Sequence, residues 1–255
     1  MPWEVITVPC LSDNYAYLLH NDDHNFTALV DAPEAEPIQS ELSRRGWTLD
    51  AILITHHHYD HIDGVDALRD AHTCQVYGAA SDSHRLPALD VPLSDGQSFD
   101  LCGSLVTVMD VSGHTLGHIA FYLADAQAVF TADSLMALGC GRLFEGTPAQ
   151  MWESLTRLRD LPRETMVYSG HEYTASNARF ALTIEPENAS LQARAIEIER
   201  LRAENIATVP SALSLECDTN PFLRADLPEV KTAIGMESAS DVEVFAEIRA
   251  RKDRF

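Results

Sequence analysis

Up to about residue 170 the chain alternates short apolar runs with polar, turn-forming stretches. "WEVITV" (3–8), "AYLLH" (16–20) and "FTALVDA" (26–32) follow one another closely and predict successive strands. "PIQSELSRRG" (37–46) has helical character and stops at a glycine, as helix C-termini often do. Four further runs are rich in branched and aromatic residues, the mark of strands buried on both faces: "AILIT" (51–55), "LVTVMDV" (105–111), "AVFTA" (128–132) and "TMVYSG" (165–170). Helical spacing appears between some of them, at 64–71 and 148–160. After residue 172 the strand-like runs end. Leu191, Ala195, Ile198 and Leu201 fall on one stripe of a long helix, and "DVEVFAEIRARKDRF" predicts a final one. The pattern predicts an α/β domain over residues 1–172 and an α-helical domain over 173–255.

Composition narrows the class without choosing a function. The 255 residues are 45% hydrophobic and 22% charged, ordinary usage for a folded soluble chain. No apolar stretch approaches the roughly 20 residues that span a bilayer, and "MPWEVITVPC" lacks a basic segment leading into an apolar one; a cytoplasmic location is expected. The five cysteines (Cys10, Cys74, Cys102, Cys140, Cys217) are scattered, which fits a reducing compartment and argues against thiolate metal binding. With 18 basic against 39 acidic residues the formal net charge is −21, so neither nucleic acid nor an anionic membrane is an expected partner. Only the terminal "RARKDRF" gathers positive charge. A monomer is expected.

Each of the four buried runs leads into residues that can bind metal. "AILIT" precedes "HHHYDH" with His56, His58, Asp60 and His61; "VMDVSG" precedes His114; "AVFTA" precedes Asp133; "TMVYSG" precedes His171. Were those runs neighbouring strands of one direction, the side chains would emerge together at a sheet edge, where open α/β sheets place their sites. In an extended segment His56 and His58 share a face while His57 points elsewhere. Seven donors exceed the three protein ligands of a usual catalytic zinc, and suit two ions sharing one carboxylate, with Asp133 the natural bridge. All are imidazole or carboxylate, so zinc, iron and manganese all suit the donors and soft-ligand sites do not; of these, zinc is the metal expected.

T-H-x-H-x-D-H at 55–61, G-H-T-x-G-H at 113–118, Asp133 after a β run and G-H-E at 170–172 resemble the metallo-β-lactamase superfamily. The resemblance implies a four-layer αββα sandwich followed by a smaller helical domain. Within the superfamily the chain looks like the glyoxalase II, or hydroxyacylglutathione hydrolase, family. "LSDNYAYLL", "GCGRLFEGTPAQM", "GHEYTASNARFA", "TNPFLR" and "RARKDRF" carry the likeness almost end to end. It implies one divalent ion on His56, His58 and His114, a second on Asp60, His61 and His171, and Asp133 on both. It also implies hydrolysis of S-lactoylglutathione to D-lactate and glutathione, the second step of methylglyoxal detoxification. Water activated by the metal pair, its pKa brought from 15.7 to about 7, would attack the thioester carbonyl while Asp60 orients it.

The same resemblance places Arg142, Phe144, Tyr173, Arg249 and Lys252 around the glutathione moiety. Two departures accompany it. Phe144 stands where some members have tyrosine, so no hydroxyl is available there, and Ala132 stands where glycine is expected before the bridging aspartate. His20, His24, His57, His72, His84 and His118 are read as non-ligands, and Cys140 as a buried small residue. Cations in the last turn of a helix are favoured by its dipole by about 0.3–1 kcal/mol each, so the terminal basic cluster has an alternative, structural explanation. Other reactions on the same metal pattern, such as β-lactam or phosphodiester hydrolysis or single-iron persulfide oxidation, fit the charge and the helical C-terminal segment less well. A non-catalytic binding protein would be expected to lack ligands, and all seven are present.

Overall fold

The computed structural model describes residues 3–255, which form two compact units. One consists of the chain up to Asp110 together with Leu116–Thr131, the other of Val111–Thr115 with Ala132–Phe255.

The first unit begins as an antiparallel meander, β1 (Trp3–Cys10), β2 (Asn14–Asn21) and β3 (Phe26–Val30). Helix α1 (Ala35–Arg45) follows and ends on Gly46, whose φ of 72° is left-handed; its N–H caps the carbonyls of Leu42 and Ser43. Beyond it the sheet continues in parallel through β4 (Ala51–Leu53), β5 (Gln75–Ala79) and β6 (Val91–Leu93). A one-turn helix, α2 (Tyr59–Ile62), and α3 (Val65–Ala71) fill the β4–β5 crossover. A second, antiparallel meander holds β7 (Ser98–Leu101), β8 (Ser104–Asp110), β9 (Ile119–Leu123) and β10 (Ala128–Ala132).

The two sheets face each other within this unit. The rings of Tyr17 and Phe130 lie 5.7 Å apart and those of Tyr77 and Phe99 5.0 Å, and the Trp3 indole donates to Ser104 at 2.9 Å. Phe121 and Phe130 are fully buried, each contributing about 1.5–3 kcal/mol by leaving water. One expectation fails here. The four buried runs do not line one sheet: β4 belongs to the first sheet, β8 and β10 to the second, with β9 antiparallel between them. Both sheets of a sandwich turn an apolar face inward, so burial patterning alone cannot assign a run to either.

The second unit carries a small hairpin, β11 (Leu135–Met136) with β12 (Gly139–Cys140), then α4 (Pro148–Arg159) and β13 (Met166–Ser169). A capping box between Thr147 and Gln150, with Pro148 in the first turn, starts α4. Next come α5 (Thr174–Ile184), α6 (Ala189–Ala203), α7 (Leu213–Thr219), α8 (Pro228–Ile234) and α9 (Asp241–Arg254). The α6 stripe packs as patterned: Leu191, Ala195 and Ile198 join Leu138, Ala178 and Ala181 in one cluster, while Leu201 is only half-buried. Strand pairing does not end at 172. Two residues, Ser211 and Ala212, form β14 against β13, a run too short to show a period. Among the described residues no helix is long and apolar enough to cross a membrane.

Candidate metal centre

In the first unit the chain leaves β4 in an extended conformation, and alternate side chains of the histidine run diverge as the backbone geometry requires. His56 Nε2 and His58 Nδ1 point at each other 3.2 Å apart, whereas His57 turns its Nδ1 to Asp82 at 3.1 Å. Asp60 and His61 sit on α2 rather than at the start of α3, with His61 Nε2 3.9 Å from Asp60 Oδ2.

Residues outside the expected ligand set hold these rings. Asp31, with a left-handed φ of 57°, accepts from His61 Nδ1 at 2.7 Å and from the Thr55 backbone and hydroxyl at 2.9 and 2.8 Å. Thr55 Oγ1 in turn meets His56 Nδ1 at 3.0 Å, so a single buried carboxylate steers two imidazoles. Asn14 Nδ2 donates to Asp60 Oδ2 and to the Asp60 carbonyl, both at 3.0 Å. His118 stacks on His56, centroids 4.5 Å apart and planes within 11°, fixing the tilt of that ring. An acidic residue directly after strand β3 was the available signal for Asp31; the same strand-end logic had found Asp133.

The second unit supplies His114, Asp133 and His171, all buried. His114 rides on a loop held by α4: Ser154 donates to the Ser112 carbonyl at 2.7 Å, and Gly113, at φ 152°, lets the loop approach so closely that a Cβ would lie 2.7 Å from that of Met151. Its Nδ1 donates to the Arg142 carbonyl at 2.7 Å, which presents Nε2. Asp133 Oδ2 lies 3.4 Å from His114 Nε2 and 3.3 Å from His171 Nε2. Ala132, just before it, adopts φ 41°, a conformation glycine would take without strain.

The donors of each unit suit divalent cations. His56, His61 and His114 each commit Nδ1 to an oxygen, the usual arrangement of metal-bound histidines, which fixes the tautomer and leaves Nε2 for an ion. One carboxylate oxygen flanked by two imidazole nitrogens is suited to sharing between two ions.

The residues expected around glutathione are distributed less evenly. Tyr173 stacks on His171, centroids 4.7 Å apart, and Phe144 lies 5.2 Å from the His114 ring; both rings are substantially exposed. The Arg142 guanidinium is exposed near Asp253 at 3.5 Å. Arg249 is buried, donating to the Cys140 carbonyl and to Asp253, both at 2.9 Å, over the ring of Phe222. Lys252 is half-buried, its ammonium 5.3 and 5.2 Å from the Phe180 and Phe255 ring centres. Burial first, and then the charges of Arg249 and Arg179, push its pKa down to about 8. Cys140 is as inert as expected, its thiol pushed up to about 11 by burial.

Residues 12–171 match the model of the metallo-β-lactamase superfamily, and residues 172–255 match that of the hydroxyacylglutathione hydrolase C-terminus. A hydroxyacylglutathione hydrolase of Ruegeria pomeroyi is 65% identical over 255 residues, covering all of both chains. Among solved structures, the BLEG-1 B3 metallo-β-lactamase superposes with a TM-score of 0.67 at 24% identity, over 86% of this chain and 99% of that one, a likeness of fold alone. TTHA1623, solved in a di-iron-bound form, aligns with a TM-score of 0.63 at 27% identity, over 86% of this chain and all of its own. The fold is the metallo-β-lactamase type with a helical C-terminal part, and the chain belongs to the hydroxyacylglutathione hydrolase family of the metallo-β-lactamase superfamily.

Proposed function

We propose that the chain hydrolyses S-2-hydroxyacylglutathione thioesters, S-lactoylglutathione foremost, to the 2-hydroxy acid and glutathione, using two divalent ions. The observation that carries the two-ion reading is Asp133 Oδ2, approached at 3.3–3.4 Å by Nε2 of two histidines. His56, His58 and His114 hold one ion in this reading, Asp60, His61 and His171 the other, and Asp133 serves both. Zinc suits the donors, as would iron or manganese. The division of labour is a catalytic domain over residues 1–172 and a glutathione-binding domain over 173–255, in a cytoplasmic monomer without nucleic-acid or membrane partners.

When bound, the ions supply Lewis acidity and bring the ionisation of water down to about neutral pH. The protein's own residues do the rest. Asp60, held by Asn14, orients the attacking water; Asp31 and the Arg142 carbonyl keep the imidazoles in register. Water oxygen bonds to the carbonyl carbon, the C–S bond breaks, and the sulfur leaves as glutathione thiolate, which takes up a proton. Arg142, Phe144, Tyr173, Arg249 and Lys252 are the residues assigned to the tripeptide, Lys252 as cation and Tyr173 as an exposed ring beside His171.

The test is turnover of S-lactoylglutathione measured beside a β-lactam and a phosphodiester. The reading requires thioester turnover to dominate, to vanish on chelation and to return with added metal. Dominant turnover of either other substrate would overturn it.

A further inference from the structure

The β11–β12 hairpin joins two parts of the metal centre. Asp133 lies two residues before it, and Arg142, whose carbonyl orients His114, two residues after it. The stalk is tight. Gly141 N–H donates to the Ser134 carbonyl at 3.1 Å, and a Cβ on Gly141 would lie 1.9 Å from the Asp133 carbonyl oxygen, so the two flanks can move only together. Wherever the hairpin tip is placed, the bridging carboxylate and the partner of His114 follow.

The tip is gripped by side chains from the helices. Asn220 Nδ2 donates to the carbonyls of Met136 at 3.1 Å and Gly139 at 3.0 Å. Asn177 Nδ2 donates to Ala137 at 3.0 Å, and the Leu138 N–H donates to Glu216 Oε2 at 2.8 Å. Leu138 itself sits at φ 55°, an unfavourable conformation for a branched residue. Glu216 and Asn220 have no exposure, and Asn220 Nδ2 lies 3.2 Å from Glu216 Oε2. The other Glu216 oxygen receives Arg194 and the Ser211 hydroxyl, and Arg194 reaches on to Thr219 at 2.7 Å. A buried ion pair of this kind generally stabilises a fold no better than apolar residues of the same volume. Its distinguishing property is directional: four backbone groups of one short hairpin are each met by a fixed polar atom.

We propose that Glu216 and Asn220, seconded by Asn177, are positioning residues of the metal centre, setting Asp133 and the Arg142 carbonyl through the hairpin. The helical segment thereby shapes the metal site as well as the substrate site, an inference that rests on the two-ion reading above.

The test compares Asn220→Ala and Asn177→Ala with Val230→Ala, a buried α8 position that makes none of these contacts. Zinc affinity is measured by chelator competition, the cobalt-substituted protein by its visible spectrum, and stability by thermal unfolding. Asn220→Ala should weaken zinc binding about 10- to 100-fold, as loss of partners behind metal ligands generally does, and change the cobalt spectrum. It should lower kcat while leaving KM for S-lactoylglutathione unchanged. Asn177→Ala, losing one hydrogen bond of about 1 kcal/mol, should shift affinity about 5-fold in the same direction and keeps the question open to test should Asn220→Ala not fold. Val230→Ala should lose stability with zinc affinity and spectrum intact. Unchanged affinity in both asparagine variants, or an equal loss in Val230→Ala, would overturn the inference alone. A parent protein that takes up no metal would overturn it together with the functional reading.

Discussion

The guanidinium of Arg249 donates to the Cys140 carbonyl at 2.9 Å, tying the last helix to the β11–β12 hairpin. Two roles therefore meet in one residue, since the family resemblance assigns Arg249 to substrate. A hydrogen bond from a charged group contributes about 1.5–3 kcal/mol when buried. Arg249→Ala should accordingly lower Tm by roughly 3–12 °C, at about 2–4 °C per kcal/mol for a chain of this size. Lys252→Ala, removing a half-buried amine, should lower it far less. Equal Tm values for parent and Arg249→Ala would mean that the buried contact is dispensable and that Arg249 serves substrate alone.

Asp133→Asn keeps the side-chain volume and removes the charge two ions would share. Metal content should fall from close to two ions per chain, and kcat by more than about 100-fold, exceeding the usual cost of a supporting residue. His57→Ala should leave metal content unchanged, because its ring engages Asp82 rather than His56 or His58. Elemental analysis of the two variants decides both points. A full complement of metal in Asp133→Asn, or a missing ion in His57→Ala, would show that the wrong ligands have been chosen.

Much of this was legible in the sequence because strand ends and donor types leave a local signature. His56 and His58 flank a residue that faces away, a consequence of extended backbone alone. Asp31 follows β3 as Asp133 follows β10, but "VDAP" alone does not tell a carboxylate that orients two histidines from one that ligates metal or merely ends a strand. Glu216 and Arg194 were missed for a different reason. They lie on apolar stripes of helices where charged residues ordinarily face solvent, and only tertiary packing reveals a buried pair. The assignment of β4 to a separate sheet was equally invisible, since pairing partners are set by crossovers that hydrophobic period does not encode.

Ala132 holds a left-handed φ of 41° immediately before Asp133. That conformation costs a residue with a Cβ about 1–2 kcal/mol, and glycine almost nothing. Ala132→Gly also frees the unfolded chain, which costs about 0.4–1 kcal/mol. The net expectation is a change from zero to about 1.6 kcal/mol in favour of the variant, a Tm up to roughly 6 °C higher, with metal content and kcat preserved. Scanning calorimetry of metal-loaded parent and variant measures it. A clear drop in Tm would mean that the methyl group makes packing contacts worth more than the strain.

Lys252 gives the pH dependence its sign. Its folded pKa of about 8 lies below the ordinary 10.5, because burial and the neighbouring arginines disfavour the ammonium. Below about pH 8 the side chain is charged and, in the proposed role, would attract a glutathione carboxylate; above it the charge is lost. KM for S-lactoylglutathione should thus be flat below pH 8 and rise above it, while KM for a thioester lacking the tripeptide stays flat throughout. Lys252→Arg, charged across the range, should abolish the rise, and Lys252→Ala should raise KM by roughly 10- to 100-fold below pH 8 with kcat little changed. Stability moves the other way. Between about pH 8 and 10.5 the unfolded chain holds a proton that the folded chain has released, so this residue favours folding progressively more as pH rises through that window. The contribution is small for a half-exposed amine and should disappear in Lys252→Ala. A KM rise of equal size with both thioesters would place the titrating group at the metal centre instead, leaving the terminal cations to the helix dipole.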